Sequence, residues 1–370
     1  MKIICSKQNL LHGVTTVSKA VPSRTTMAIL ECILIDASTN EIKLMANDTE
    51  LGIETIIEGD IKEHGVIALD ARMFSEIVRR FSDDDVTIEA DASYKTLITC
   101  GNAKYDIIGK SGEDFFYIPY IEKNKPVAIS QFTLKEVIRQ TIFSISDNDN
   151  NKLMTGELFE IKENQLKVVS LDGHRISIRN IVLKENYENC KAVVPGKTLH
   201  EVSKILSGNI EDIVNMFFTD NYVIFEFDKT TVVSRLIEGE YFRIEQMLSS
   251  DYETKIKINK RGLLDCIDRT MPLVKEGDKK PIIMNITEGN MEMKIKSFAG
   301  TMNENISIQK DGKDIMIGFN PKFFIDALRV IDEEEITLYM VNPKAPCFIK
   351  DDNETFIYLI LPVNFNAASS

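Results

Sequence analysis

Two tripeptides in this chain, Gly109-Lys110-Ser111 and Gly196-Lys197-Thr198, carry the chemistry with which a loop holds a nucleotide: a turning glycine, a lysine charge and a hydroxyl for magnesium. A complete phosphate loop also needs an earlier glycine so that backbone N–H groups can curl around the phosphate, and those positions hold Lys104 and Lys191. The run Asp147-Asn148-Asp149-Asn150-Asn151 begins like a calcium loop, but Lys152 takes the place of the turning glycine and Leu158 that of the bidentate glutamate. It reads as a solvated loop. His12, His64, His174 and His200 form no H-x-x-x-H pair, and no G-x-S-x-G elbow is present. Cys5, Cys32, Cys100, Cys190, Cys266 and Cys347 are widely spaced without a C-x-x-C pair, which fits buried free thiols better than zinc or a disulfide framework. Asp83-Asp84-Asp85 and Glu333-Glu334-Glu335 each follow a predicted helix and precede a strand, and read as solvated turns. The expectation is a chain without catalytic residues, metal or cofactor; the alternative is a nucleotide-dependent enzyme using one of the G-K-[ST] segments.

The elements that would position any functional group repeat three times. Leu10, Leu11, Val14, Val17 and Val21 mark a helical stripe, and its pattern returns around Leu134 and Leu263. A second helix, anchored on Phe74, Leu199 and Phe324, recurs about 125 and 250 residues on. Alternating strands lie between the two helices, with Asp48, Asp172 and Ala299 in equivalent places, and further strands follow the second helix. The repeat predicts three domains, 1–124, 125–248 and 249–370, each an α+β unit with two helices packed on one face of an antiparallel sheet.

With 44% hydrophobic and 27% charged residues the composition is globular, and no apolar run is long enough to span a bilayer. Lys7 and polar residues interrupt the amino terminus before a signal-peptide core forms, so no membrane and a cytoplasmic location are expected. A net charge of −13 argues against a nucleic-acid partner only if charge is spread evenly. It is not: the predicted helical segments 6–24, 70–81, 131–142, 195–207, 259–273 and 321–330 hold 15 Lys+Arg against 7 Asp+Glu, a net of +8, leaving −21 elsewhere. If the helices face one way, a polyanion beside them is screened from the acidic sheets beyond about 8 Å. The alternative is that these cations merely solvate exposed helix faces. No basic run, zinc finger or aromatic RNA-binding motif is present, which disfavours sequence-specific readout.

Several segments resemble the bacterial DNA polymerase III beta subunits, the sliding clamps: Leu171-Asp172-Gly173-His174-Arg175-Ile176, the helix start from Phe319 to Asp326, Pro346-Cys347-Phe348-Ile349, and Tyr358-Leu359-Ile360-Leu361-Pro362-Val363. The resemblance runs from Met1 to about Asn364. It implies three DNA-clamp domains per chain, assembled as a head-to-tail homodimer into a closed ring around double-stranded DNA. About +16 of helical charge per dimer would then touch DNA without reading its sequence. Such a ring is a non-enzymatic processivity factor. A ring-like scaffold without DNA is a further alternative.

The resemblance also assigns residues. Arg24, Arg72, Arg79, Arg80, Lys197 and Lys204 are the candidates for DNA-facing cations, each alternatively an ordinary surface charge. A hydrophobic cleft joining the second and third domains would accept linear motifs from the polymerase III catalytic subunit, the clamp loader and other clamp-binding proteins. Its walls are assigned to Met154, Leu171, Gly173, Ile176, Phe242, Gln246, Met247, Phe323, Pro346, Ile360, Leu361, Pro362 and Val363, with His174, Arg175 and Asn320 orienting the peptide. Leu171 and Ile360 equally fit plain core packing. Phe242 stands where the family commonly has proline and Asn364 where it commonly has arginine, so the rim differs in shape and charge. For ring closure the family pairs a strand of the first domain with a helical segment of the third, here Tyr105, Ile107 and Ile108 with Met271 and Leu273. The polar tail after Asn364 is expected to be poorly ordered.

Overall fold

The computed structural model describes residues 1–123, 125–148, 150–248, 251–274 and 280–365. The expectations for Asp149, for the domain borders at 124 and 249 and for the tail beyond Phe365 lie outside the described residues. Six α-helices occur among those described: α1 (Lys7–Val17), α2 (Ala71–Arg80), α3 (Gln131–Thr141), α4 (Gly196–Ile205), α5 (Lys260–Asp268) and α6 (Pro321–Val330).

Most of these helices begin where a short polar side chain ends a strand. Ser6, Asp70, Ser130, Asn259 and Asn320 each accept a hydrogen bond from a first-turn backbone N–H, at 2.7–3.2 Å. Two predicted helices end early. The segment 6–24 is α only to Val17 and 3₁₀ over Ser18–Ala20, with Pro22 beyond. The segment 259–273 stops at Asp268 and resumes as a 3₁₀ turn over Met271–Leu273 around Pro272, whose missing N–H and ring disfavour a continuing helix. Arg24 and Arg269 therefore lie outside helices. Within the observed bounds the helices hold 12 Lys+Arg against 6 Asp+Glu, a net of +6. The sign of the expected contrast is kept with less magnitude.

The chain forms two compact units. The first, Met1–Lys135 with Lys197–Leu236, contains two antiparallel sheets. Its five-stranded sheet ends on the edge strand Ala103–Ile108. Its nine-stranded sheet joins strands of the first and second sequence repeats where Leu51–Ile57 pairs with Thr230–Arg235. Thr55 faces Thr230 there, with buried hydroxyls 2.9 Å apart.

The second unit, Glu136–Gly196 and the chain from Ile237, repeats this construction. A seven-stranded sheet joins the second and third repeats where Arg175–Pro195 pairs with Phe356–Ile360, and a four-stranded sheet ends on the edge strand Gly300–Ser307. The strand Phe356–Ile360 is buried on both faces. Phe356, Tyr358 and Ile360 pack with Leu263 and Phe324, whereas Ile357 and Leu359 pack with Tyr241 and Ile244. Compactness divides the middle repeat because backbone pairing carries the sheets across each repeat junction.

Glu157, on the strand Gly156–Leu171, is fully buried and neither carboxyl oxygen has a hydrogen-bond partner. Burial pushes its carboxyl up to about 8. The Thr141 hydroxyl nearby acts in the opposite direction, but its proton goes to the Val137 carbonyl at 2.7 Å.

Candidate functional site

The second unit contains a cleft of about 570 Å³ on one face of the joint between Arg175–Pro195 and Phe356–Ile360. An Asx turn shapes its rim. The Asp172 carboxylate accepts the backbone N–H groups of His174 (2.9 Å) and Arg175 (3.1 Å), while Gly173 takes φ +85°, which a residue without Cβ adopts without strain. The 3₁₀ turn Ile244–Met247 brings up Gln246 and Met247, and Pro346 enters from the start of the neighbouring strand. Met154, Leu171, Gly173, Arg175, Ile176, Phe242 and Leu361 complete the lining expected from sequence, and Leu359 is an addition to it.

The remaining assigned residues stand off the lining. Ile360 points into the core with Phe324, because successive side chains of a strand face opposite ways. The alternation Leu359, Ile360, Leu361 carried the signal that could have found Leu359. His174 is exposed and stacks on Phe323, with centroids 6.0 Å apart. Asn320 caps α6. Val363 donates its N–H to the Gly318 carbonyl, and Pro362, half-buried, precedes it.

Among the described residues Arg175 is the only charged one on the cleft lining, and its charge is already matched. Its guanidinium pairs with Asp172 at 2.9 Å and Asp326 at 2.6 Å, donates to the Phe143 carbonyl and lies 4.6 Å from the Phe323 ring centroid. Only 8% of the side chain is exposed. It fixes the Asx turn to α6 and leaves the cleft for apolar groups. Met247, 52% exposed, offers an adaptable thioether at the mouth.

All six candidate DNA-facing cations lie in the first unit and are exposed. Arg72, Arg79 and Arg80 project from α2, the last two sharing Glu76 at 2.9 and 3.2 Å. On α4, Lys204 pairs with Glu201 at 2.9 Å and Lys197 with Asp48. Arg24, past the end of α1, and Arg72 form no ion pair among the described residues. The Arg79 and Arg80 pairs, exposed on both sides, are worth about 1 kcal/mol or less, so a phosphate competes for those cations.

Of the assigned interface residues, Tyr105, Ile107 and Ile108 lie on the open edge strand Ala103–Ile108. Tyr105 meets Phe81 edge to face at 5.7 Å, Ile107 is half-buried, and Ile108 is 84% exposed. Met271 and Leu273 are half-buried against the core of the second unit.

The chemistry of the G-K-[ST] segments is engaged elsewhere. Thr198 Oγ1 is buried 2.6 Å from Ser234 Oγ, Lys110 Nζ donates to the Ala28 carbonyl at 2.6 Å, and Ser111 belongs to a two-residue strand. Five cysteines are buried and Cys190 is half-buried, all with free thiols. Among the described residues no cluster of three metal-ligating side chains occurs.

Residues 1–119, 128–242 and 245–364 match, in order, the N-terminal, central and C-terminal domains of the DNA polymerase III beta subunit. The chain belongs to that family. The protein named beta sliding clamp in Bacillus subtilis is 32% identical over 376 residues, covering 98% of this chain and 99% of its own. That of Staphylococcus epidermidis is 30% identical over 376 residues with the same coverage. Among solved structures, a DNA polymerase III beta subunit from Eubacterium rectale matches with a TM-score of 0.96 at 75% identity, covering 99% of this chain and 100% of that one. The Bacillus subtilis DNA polymerase sliding clamp matches with a TM-score of 0.94 at 33% identity and the same coverage. The three clamp domains and the role of DNA sliding clamp in replication hold for this member of the family.

Proposed function

We propose that this beta subunit acts without chemistry of its own, as a head-to-tail homodimeric ring in the cytoplasm that encircles duplex DNA and tethers the polymerase, the clamp loader and other motif-bearing proteins. The domains are 1–124, 125–248 and 249–370. The observation that carries the reading is the sorting of charge: the helices bear +6 in a chain of −13. Cations held at helix surfaces neutralise phosphates without reading bases, which permits sliding, and closure of the ring rather than tight binding provides retention. Arg24, Arg72, Arg79, Arg80, Lys197 and Lys204 face the DNA. Ile108 and its edge strand meet the Met271–Leu273 segment of the partner copy, covering an edge that would otherwise aggregate. The second-unit cleft takes the apolar side chains of partner peptides, since its cation is already neutralised.

Loading onto nicked circular DNA, followed by linearisation, tests this reading. The ring reading expects retention on circles and rapid loss from linear ends; equal retention on both refutes encirclement.

A further inference from the structure

The first unit contains the Asx turn of the cleft a second time. Asp48 accepts the N–H groups of Glu50 (3.0 Å) and Leu51 (2.7 Å), as Asp172 accepts those of His174 and Arg175. Thr49 takes φ +77° where Gly173 takes +85°. Across the joint, Arg235 donates its N–H to the Glu50 carbonyl at 2.9 Å, as Leu361 donates to the His174 carbonyl at 2.9 Å. Ser234 pairs with Leu51 as Ile360 pairs with Arg175, so Val233 and Arg235 occupy the places of Leu359 and Leu361.

A cleft of about 270 Å³ lies at this first joint. Phe116 lines it as Phe242 lines the other, and Tyr222, opposite Arg235, takes the place of Pro346. Two differences change its chemistry. Gly52 replaces Ile176, and Ile118 fills the freed space, with its Cγ1 only 2.7 Å from where a Cβ on Gly52 would stand. The floor is therefore closed from within. Arg235 replaces Leu361, its guanidinium lying 5.8 Å from the Tyr222 ring centroid with no ion pair among the described residues. Glu50, also without an ion pair among them, stands in the place of His174, so the rim favours one acidic residue beside Arg235 over an acidic run.

We propose that the first joint is a second, shallower docking cleft for a short peptide segment in which an aromatic or aliphatic residue is flanked by a single acidic one. The apolar side chain rests on Phe116 and Val233, and the carboxylate meets Arg235. The proposal rests on the reading of the second-unit cleft as a peptide site, whose scaffold it shares.

The test uses the full-length protein and two labelled peptides, one with phenylalanine beside glutamate and one with phenylalanine beside glutamine, followed by fluorescence anisotropy. Leu361→Asp, at a cleft position that is 38% exposed, closes the larger cleft; Arg235→Ala is then added. The glutamate peptide is expected to bind the Leu361→Asp protein about fivefold more tightly than its glutamine counterpart, the value of one partly exposed ion pair, and Arg235→Ala is expected to erase the difference. Equal affinities, a difference that survives Arg235→Ala, or no binding at millimolar peptide overturns the proposal. A purely apolar peptide whose binding to the otherwise intact protein ignores Leu361→Asp refutes the reading of the larger cleft instead.

Discussion

Replacing Glu157 with glutamine isolates the cost of a carboxyl that the fold buries without partners. In the unfolded chain this group titrates near 4.5; burial moves it to about 8. Between those values the folded state keeps a proton that the unfolded state releases, so unfolding becomes easier by about 1.4 kcal/mol per pH unit. The contribution to stability is intact below 4.5, falls as pH rises and levels off above 8. At pH 7 the penalty is on the order of 3 kcal/mol, and at pH 8, where half of the folded molecules have already lost the proton, on the order of 4 kcal/mol. Glutamine has nearly the same shape and no charge to lose. Glu157→Gln should thus match the wild type near pH 4.5 and exceed it increasingly up to pH 8. Denaturant melts at pH 5, 6, 7 and 8, paired with hydrogen exchange of the strand Gly156–Leu171, measure the gap. A gap that stays constant with pH, or a glutamine variant less stable at pH 8, refutes the argument that desolvation governs this residue.

Asp326→Asn and Arg175→Met probe the ion pairs behind the cleft: removing the buried guanidinium leaves two carboxylates without their partner and should cost about 3–5 kcal/mol in denaturant melts, with Asp326→Asn costing less. Met247→Ala, at an exposed position, should leave the melting temperature unchanged while weakening an apolar peptide several-fold in calorimetry. Ile108→Asp alters a side chain that a single copy leaves 84% exposed, so folding should persist while the dimer dissociates in sedimentation runs at low concentration; Ile107→Asp should do the same, and an unchanged dimer mass counts against the proposed edge pairing. Arg72→Ala with Lys204→Ala should flatten the salt dependence of DNA binding by about one to two charges' worth without changing its indifference to sequence.

The sequence by itself determined what depends on neighbours along the chain. Helical stripes at Leu10, Leu134 and Leu263 and the excess of lysine and arginine on the helices are local properties, and they survive folding with trimmed ends. The residues around the Asp172 turn were reached through their resemblance to a known family; that Asp172 caps a turn and Gly173 takes a positive φ emerged with the structure. Tertiary structure alone decided what depends on phase and on partners distant in sequence. Whether Leu359 or Ile360 faced the cleft turned on one residue of strand register, and both are apolar. That Arg175 pairs with Asp326, 151 positions away, while Arg235 forms no ion pair among the described residues, is visible only once strands from different repeats pair. Glu157 reads as one more surface glutamate until packing buries it beside a Thr141 hydroxyl that donates to the Val137 carbonyl instead. Burial and charge pairing are properties of what surrounds a side chain, and the surroundings are assembled from across the whole chain.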